Sequence, residues 1–159
     1  MHKIFLFTSL LIASIFNAAQ ADTQTQIDQI LAQKSAPFGV VFEIVEGDSN
    51  ALQWALPAVN QYVAQLRKRF PSIGLAVVSH GNEQFGLMKD QQQKNARAHK
   101  TVQSLVSDDV PVHVCGTYAS WKGKAAQDFP NYVDVTPAGP TEIRNYEAMG
   151  YVLVEVEKP

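Results

Sequence analysis

The chain has 159 residues, 46% of them hydrophobic, with 13 Lys and Arg against 15 Asp and Glu, a net charge of −2 and one cysteine. That length fits one domain, large enough to bury a hydrophobic core without disulfides. The slightly acidic balance excludes recognition of nucleic acid or an anionic membrane surface by bulk charge.

The first 21 residues place His2 and Lys3 ahead of an apolar run from Ile4 to Phe16 and end on the small-x-small triplet Ala19-Gln20-Ala21. This pattern predicts a secretory signal cut after Ala21 and a periplasmic or secreted mature chain. The run is too short for the ~20 apolar residues of a spanning helix, so no membrane association is expected after cleavage. Without its signal the chain keeps 138 residues and 12 Lys and Arg against 15 Asp and Glu, a net charge of −3.

Residues 22–36 are polar and Gln-rich, with only Ile27, Ile30 and Leu31 to bury, and read as a short helix or loose arm ahead of a domain spanning 37–157. Phe38 to Val45 is a nearly continuous β-branched and aromatic run, the pattern of a strand covered on both faces. It ends at Glu46-Gly-Asp-Ser-Asn50, where Asp48 and Ser49 are candidate helix caps. Leu52, Leu56, Val59, Val63, Leu66 and Phe70 then recur at steps of four and three. Arg67, Lys68 and Arg69 close this amphipathic helix at its negative end. Pro57 inside it predicts either a kink or the true start of the helix.

Ile73 to Ser79 reads as a second buried strand, broken by His80-Gly81-Asn82. A loop of mixed character, Glu83 to Gln93, precedes a helix over Asn95 to Val106 that buries Ala98, Val102 and Leu105. Val110 to Cys115 is a third strand, Tyr118 to Gln127 a short helix and Asn131 to Val135 a fourth strand. Gly139-Pro140 opens another helix, which Gly150 terminates. Tyr151 to Glu157 is the last strand. Strands and helices alternate throughout, and right-handed crossovers make this an α/β domain, with a parallel sheet between helices.

Ligands of open parallel sheets bind outside the carboxyl ends of the strands, near the point where strand order reverses. Three segments fall on that edge: Glu46-Gly-Asp48, His80-Gly-Asn-Glu83 and Cys115-Gly-Thr117. A lone cysteine in an oxidising compartment is a latent intermolecular partner, a working thiol or an inert small hydrophobe. The helix expected after Cys115 favours a thiolate there, and Lys122 and Lys124 lie close in sequence. His80 is either a turn histidine bonded to local backbone or a proton partner for the thiol.

At His80-Gly81, Cys115-Gly116 and Gly139-Pro-Thr-Glu-Ile-Arg-Asn-Tyr-Glu-Ala-Met-Gly-Tyr151, the chain resembles the DsrE/DsrF-like family of sulfur-relay proteins, which includes TusD-type carriers. The resemblance runs from about Pro37 to Glu155. It implies a flavodoxin-like open parallel five-stranded sheet with helices on both faces, holding no flavin or other cofactor. It further implies trimers or hexamers that exchange sulfur with donor and acceptor partners, and a persulfide on the cysteine, which corresponds here to Cys115. The well-understood members are cytoplasmic, whereas this chain begins with an export signal.

Other chemistries are weaker. His113 and Cys115 share a strand face and would bind a soft metal if His80 or His99 joined them, but no CxxC or Met-rich stretch supports this, and His113 reads better as an ordinary strand residue. There is no nucleophile elbow, Walker loop or dinucleotide fingerprint. Tyr118 and Trp121 pack near the thiol or line a small cleft. Two functions follow: a carrier or sulfurtransferase-like protein in which Cys115 and His80 act together, or a non-catalytic module for a small molecule, metal or protein in which Cys115 is incidental. A homo-oligomer is expected to cover part of Phe85-Gly-Leu-Met88.

Overall fold

The computed structural model describes residues 22–158, so the expected signal segment, 1–21, lies outside the described residues. The run after Pro37 is strand β1 (Gly39–Ile44), and Val40, Val41 and Phe42 are all fully buried in succession. Such a run requires cover on both faces of the sheet, since neighbouring side chains point opposite ways. Strands β2 (Gly74–Ser79), β3 (Val112–Cys115), β4 (Asp134–Thr136) and β5 (Tyr151–Glu155) complete an all-parallel sheet in the order β4-β3-β2-β1-β5. This is the flavodoxin-like open α/β sheet of five strands, with the last strand in sequence on the far side of β1.

The order distributes the helices. From β1 to β4 each step moves to the next strand in one direction, so right-handed crossovers place α2 (Leu52–Arg69), α3 (Ala96–Ser107) and α4 (Gly116–Trp121) on one face. The return from β4 across to β5 puts α5 (Gly139–Ala148) on the other. The larger core lies on the first face, joining Val40, Phe42 and Ile44 to Leu56, Val59, Val102 and Leu105. Each such buried side chain contributes about 1.5–3 kcal/mol. The second face is smaller, with Ile143 and Tyr146 of α5 packed on Val41, Ala76 and Val78.

Several local expectations are revised. The stretch read as a short helix or loose arm ahead of the domain forms helix α1 (Thr23–Leu31), which Asp22 caps through the N–H of Thr25. Its Ile27 and Ile30 join the larger core. The Thr23 hydroxyl donates to Glu155 O at 2.9 Å and accepts from Glu157 N–H at 2.8 Å, so this segment is part of the domain. Asp48 does not cap α2: its carboxylate accepts from Asn50 N–H at 2.9 Å in a tight turn, and the helix begins at Leu52 without a side-chain cap. Pro57 lies inside the helix, which starts five residues before it; the carbonyl deprived of a donor belongs to the exposed Gln53.

The loop after β2 is built from two short 3-10 turns, Asn82–Leu87 and Lys89–Gln91. Gly86, Leu87 and Met88 are buried within the chain itself, and Phe85 is half-buried. Helix α5 ends as expected at Gly150, whose φ of 89° is open to glycine at little cost. No helix among the described residues is long and apolar enough to cross a membrane.

His99 anchors the loop after β2. Its buried ring donates from Nε2 to Gly86 O at 3.1 Å and accepts the Tyr132 hydroxyl at Nδ1 at 2.6 Å. Burial lowers its pKa, against the opposing effect of the Gly86 bond. A histidine depressed in the folded state contributes stability that is fully present above the unfolded value of about 6.5 and is lost as the pH falls through the folded value. Melting temperature is therefore expected to fall from pH 7 toward pH 5. His99→Gln, destabilised at neutral pH, should show a flatter limb over that range; an unchanged limb would remove His99 as its cause.

Candidate functional site

Cys115 is the last residue of β3, an internal strand, and so lies at the carboxyl edge of the sheet. It is also the N-cap of α4, which starts two residues earlier than the sequence suggested. The side-chain sulfur accepts the N–H of Tyr118 at 3.4 Å, the bond a capping oxygen would make. Only one helical N–H reaches the sulfur, since that of Thr117 goes to Pro137 O at 3.0 Å. The residue is 5% exposed.

The backbone of Cys115 is fixed by Gln84, a residue the sequence did not mark. Its amide oxygen accepts from Cys115 N–H at 2.7 Å and its amide nitrogen donates to Cys115 O at 3.4 Å. Gln84 is fully buried and does the work of a strand partner where the ladder between β2 and β3 has ended. Its neighbour Glu83 is equally buried. One carboxylate oxygen accepts from Glu46 N–H at 2.6 Å, and the other from the Ser79 hydroxyl at 2.8 Å and Gly81 N–H at 2.9 Å. Burial raises the pKa of Glu83, while these donors pull it back. Together Glu83 and Gln84 bind the carboxyl ends of β1, β2 and β3 into one unit.

His80 follows β2 on the same edge. The last register pair is Ser79 with Val114, so His80 and Cys115 each follow directly on the ends of adjacent strands. The imidazole Nε2 meets Glu43 Oε1 at 2.7 Å, with side-chain exposures of 14% and 19%. This pairing decides the histidine reading in part: the ring is held by a carboxylate of the next strand rather than by local backbone. Among the described residues the Cys115 sulfur is bonded to the Tyr118 N–H and the His80 ring to Glu43, and no hydrogen bond joins the thiol to His80. Glu43 escaped the sequence reading, although a lone charge inside an otherwise apolar strand was the available signal.

Gly139 at the start of α5 packs against His80. A Cβ there would lie 2.5 Å from His80 Cβ, closer than carbon atoms approach. Gly139→Ala is therefore expected to displace His80 or lift α5, at about 1–3 kcal/mol of stability. Proton NMR of the His80 ring should show the displacement, and an unshifted resonance would argue that α5 does not position this histidine.

His113 points to the same face but is fully engaged. Nδ1 meets Asp134 Oδ2 at 2.6 Å and Nε2 meets the Tyr146 hydroxyl at 2.8 Å. Tyr146 is pushed up to about 12, first by burial and then by Glu142, Tyr151 and Asp134, so at neutral pH it keeps its proton and donates to His113. With both ring nitrogens occupied, His113 is a strut between β3, β4 and α5. Among the described residues no three His, Cys, Asp or Glu side chains cluster to hold a metal. Lys122 lies over the Tyr118 ring at 5.5 Å, and Lys124 lines a separate cleft. Trp121, 75% exposed, stands edge-on to Tyr118.

Strand order reverses between β1 and β5, two strands away from Cys115. The cleft there, about 320 Å³, is walled mainly by Glu43, Glu46, Glu155 and Glu157. Glu43 thus faces both this cleft and His80.

No family model matches the chain, and no curated protein matches it. Among solved structures it is similar to a protein of unknown function from Methanobacterium thermoautotrophicum, with a TM-score of 0.60 and 21% identity over 74% of this chain and 98% of the other. The likeness extends the fold, a parallel five-stranded α/β sheet, to a second protein.

Proposed function

We propose that the protein is an exported thiol-dependent sulfur carrier of the DsrE/DsrF-like kind, working on Cys115. The observation that carries this reading is the position of the sulfur: it ends an internal parallel strand at the ligand-binding edge and accepts the Tyr118 N–H. In the step proposed, the Cys115 thiolate attacks the outer sulfur of a donor persulfide. A new S–S bond forms to Cys115, the donor's S–S bond breaks, and the donor leaves as a thiolate. No external oxidant is required. In the release step an acceptor thiol takes the outer sulfur, and His80, oriented by Glu43, moves the acceptor's proton to the departing Cys115 thiolate. Export through the signal segment and assembly into trimers or hexamers belong to the same proposal.

A second reading, a non-catalytic binding module with an incidental cysteine, draws on the burial of Cys115, 5% exposed. Offering polysulfide to the folded protein separates the two. One added sulfur on the peptide containing Cys115, read by mass, supports the carrier; a thiol that takes up none in the folded state supports the module.

A further inference from the structure

A second concavity on the carboxyl edge lies on the α2–α3 side of the sheet, away from the face that holds His80. The crossovers following β1, β2 and β3 all contribute to it: Ser49 and Asn50 before α2, Phe85 and Met88 in the 3-10 turn, Lys94 and Asn95 at the start of α3, and Lys124 after α4. Its volume is about 270 Å³, near the lower end of small-molecule pockets. A convergence of three loops on the edge where open α/β sheets take their ligands is the geometry of a binding site.

Its walls define the ligand. Lys94 and Lys124 both line the cleft, and the side chain of neither makes an ion pair or hydrogen bond among the described residues. A smaller depression adjoins at Lys94 and Asn95 and adds Arg97. The one acid of the cleft, Asp90, accepts from Gln91. Two lysines therefore share the cleft with one carboxylate on a chain whose overall charge is negative, and Arg97 stands in the adjoining depression. Helix α3 carries no acid in its first turn and no side-chain cap, so its positive end adds to the same field. Phe85 and Met88 supply an apolar floor.

Asn95 makes the cleft rigid: its amide donates to Gly86 O at 3.1 Å and accepts from Gln53 at 3.4 Å. The site is thereby formed before a ligand arrives.

We propose that this cleft binds a small organic monoanion, a carboxylate or sulfonate whose acid group sits between Lys94 and Lys124 and whose short apolar part rests on Phe85. The inference is independent of the thiol chemistry. It predicts saturable binding of propionate and methanesulfonate to the purified protein, weaker binding of inorganic sulfate, which cannot use the apolar floor, and none of neutral propionamide.

Titration calorimetry at constant ionic strength, with backbone amide shifts to locate the ligand, tests it. Shifts should centre on Asn50, Phe85, Lys94 and Lys124. Lys94→Gln and Lys124→Gln should each weaken binding about tenfold, the loss of one charge-assisted hydrogen bond, without altering the melting temperature. Cys115→Ser should bind as the unaltered protein does. Absence of saturable binding, binding unchanged in the Lys94→Gln, Lys124→Gln double variant, or shifts confined to another surface would each overturn the proposal.

Discussion

Cys115→Ser is expected to abolish sulfur uptake from polysulfide while leaving the protein folded. The substitution is unusually clean at this position. The sulfur occupies an N-cap and accepts the Tyr118 N–H, and serine is among the best residues for that task, so α4 should start as before. The hydroxyl cannot hold a sulfane sulfur under these conditions. Mass spectrometry should find the added sulfur only in the unaltered protein, with the two melting within a few degrees of each other. His80→Ala separates the two halves of the cycle: onward transfer to an acceptor thiol should slow more than loading does, because the proton is returned in the release step. Equal loading of Cys115→Ser and the unaltered chain would end the carrier reading.

The largest expected loss of stability comes from Glu83→Ala. The carboxylate is the acceptor for Glu46 N–H, Gly81 N–H and the Ser79 hydroxyl, all near the carboxyl ends of β1 and β2. An unsatisfied buried donor costs about 1–3 kcal/mol, and the vacated volume admits water to only part of them. A loss of roughly 3–5 kcal/mol is expected, a large fraction of the roughly 5–15 kcal/mol that holds a domain together. Glu83→Gln should fall between, since it keeps one acceptor oxygen and sets an amide N–H against a donor. Urea unfolding measures all three; a midpoint for Glu83→Ala close to the unaltered protein would show that the strand ends do not depend on this side chain. Because burial raises the Glu83 pKa in the folded state, its contribution is greatest below the unfolded value and declines as pH rises through the folded one. Mild acid therefore weakens the protein through His99 and not through Glu83.

The parts that the sequence announced are those governed by periodicity. β1 was readable because a strand covered on both faces has no polar alternation to hide it, and α2 because its buried residues recur at helical spacing. Glu83 and Gln84 were unreadable as core residues: Ser79 and Gly81 are local to Glu83, but Glu46 N–H and the Cys115 backbone arrive from 37 and 31 positions away. The same holds for Glu43 and His80, 37 positions apart and joined only through parallel register. Right-handed crossovers fixed the hand of each connection but not the side of β1 on which β5 would settle, so the point of reversal could not be placed. Helix α1 was underestimated because two isoleucines suffice when the surface they cover is already formed.

The pairing of β5 with β1 has a consequence for how the molecule is made. Val40, Val41 and Phe42 lie in the interior only because Tyr151–Glu155, the final strand, closes over that flank, and Thr23 at the other end of the domain ties itself to Glu155 and Glu157. These pieces are far apart in the order of synthesis. Until β5 emerges, β1 therefore stands as an open edge, with unpaired amides and carbonyls that invite pairing with a second nascent chain. Loss of even the last eight residues would make that exposure permanent. The vulnerable interval ends only when β5 has emerged to pair with β1, which makes a holding chaperone more valuable to it than to an α/β protein whose first strand is sealed early.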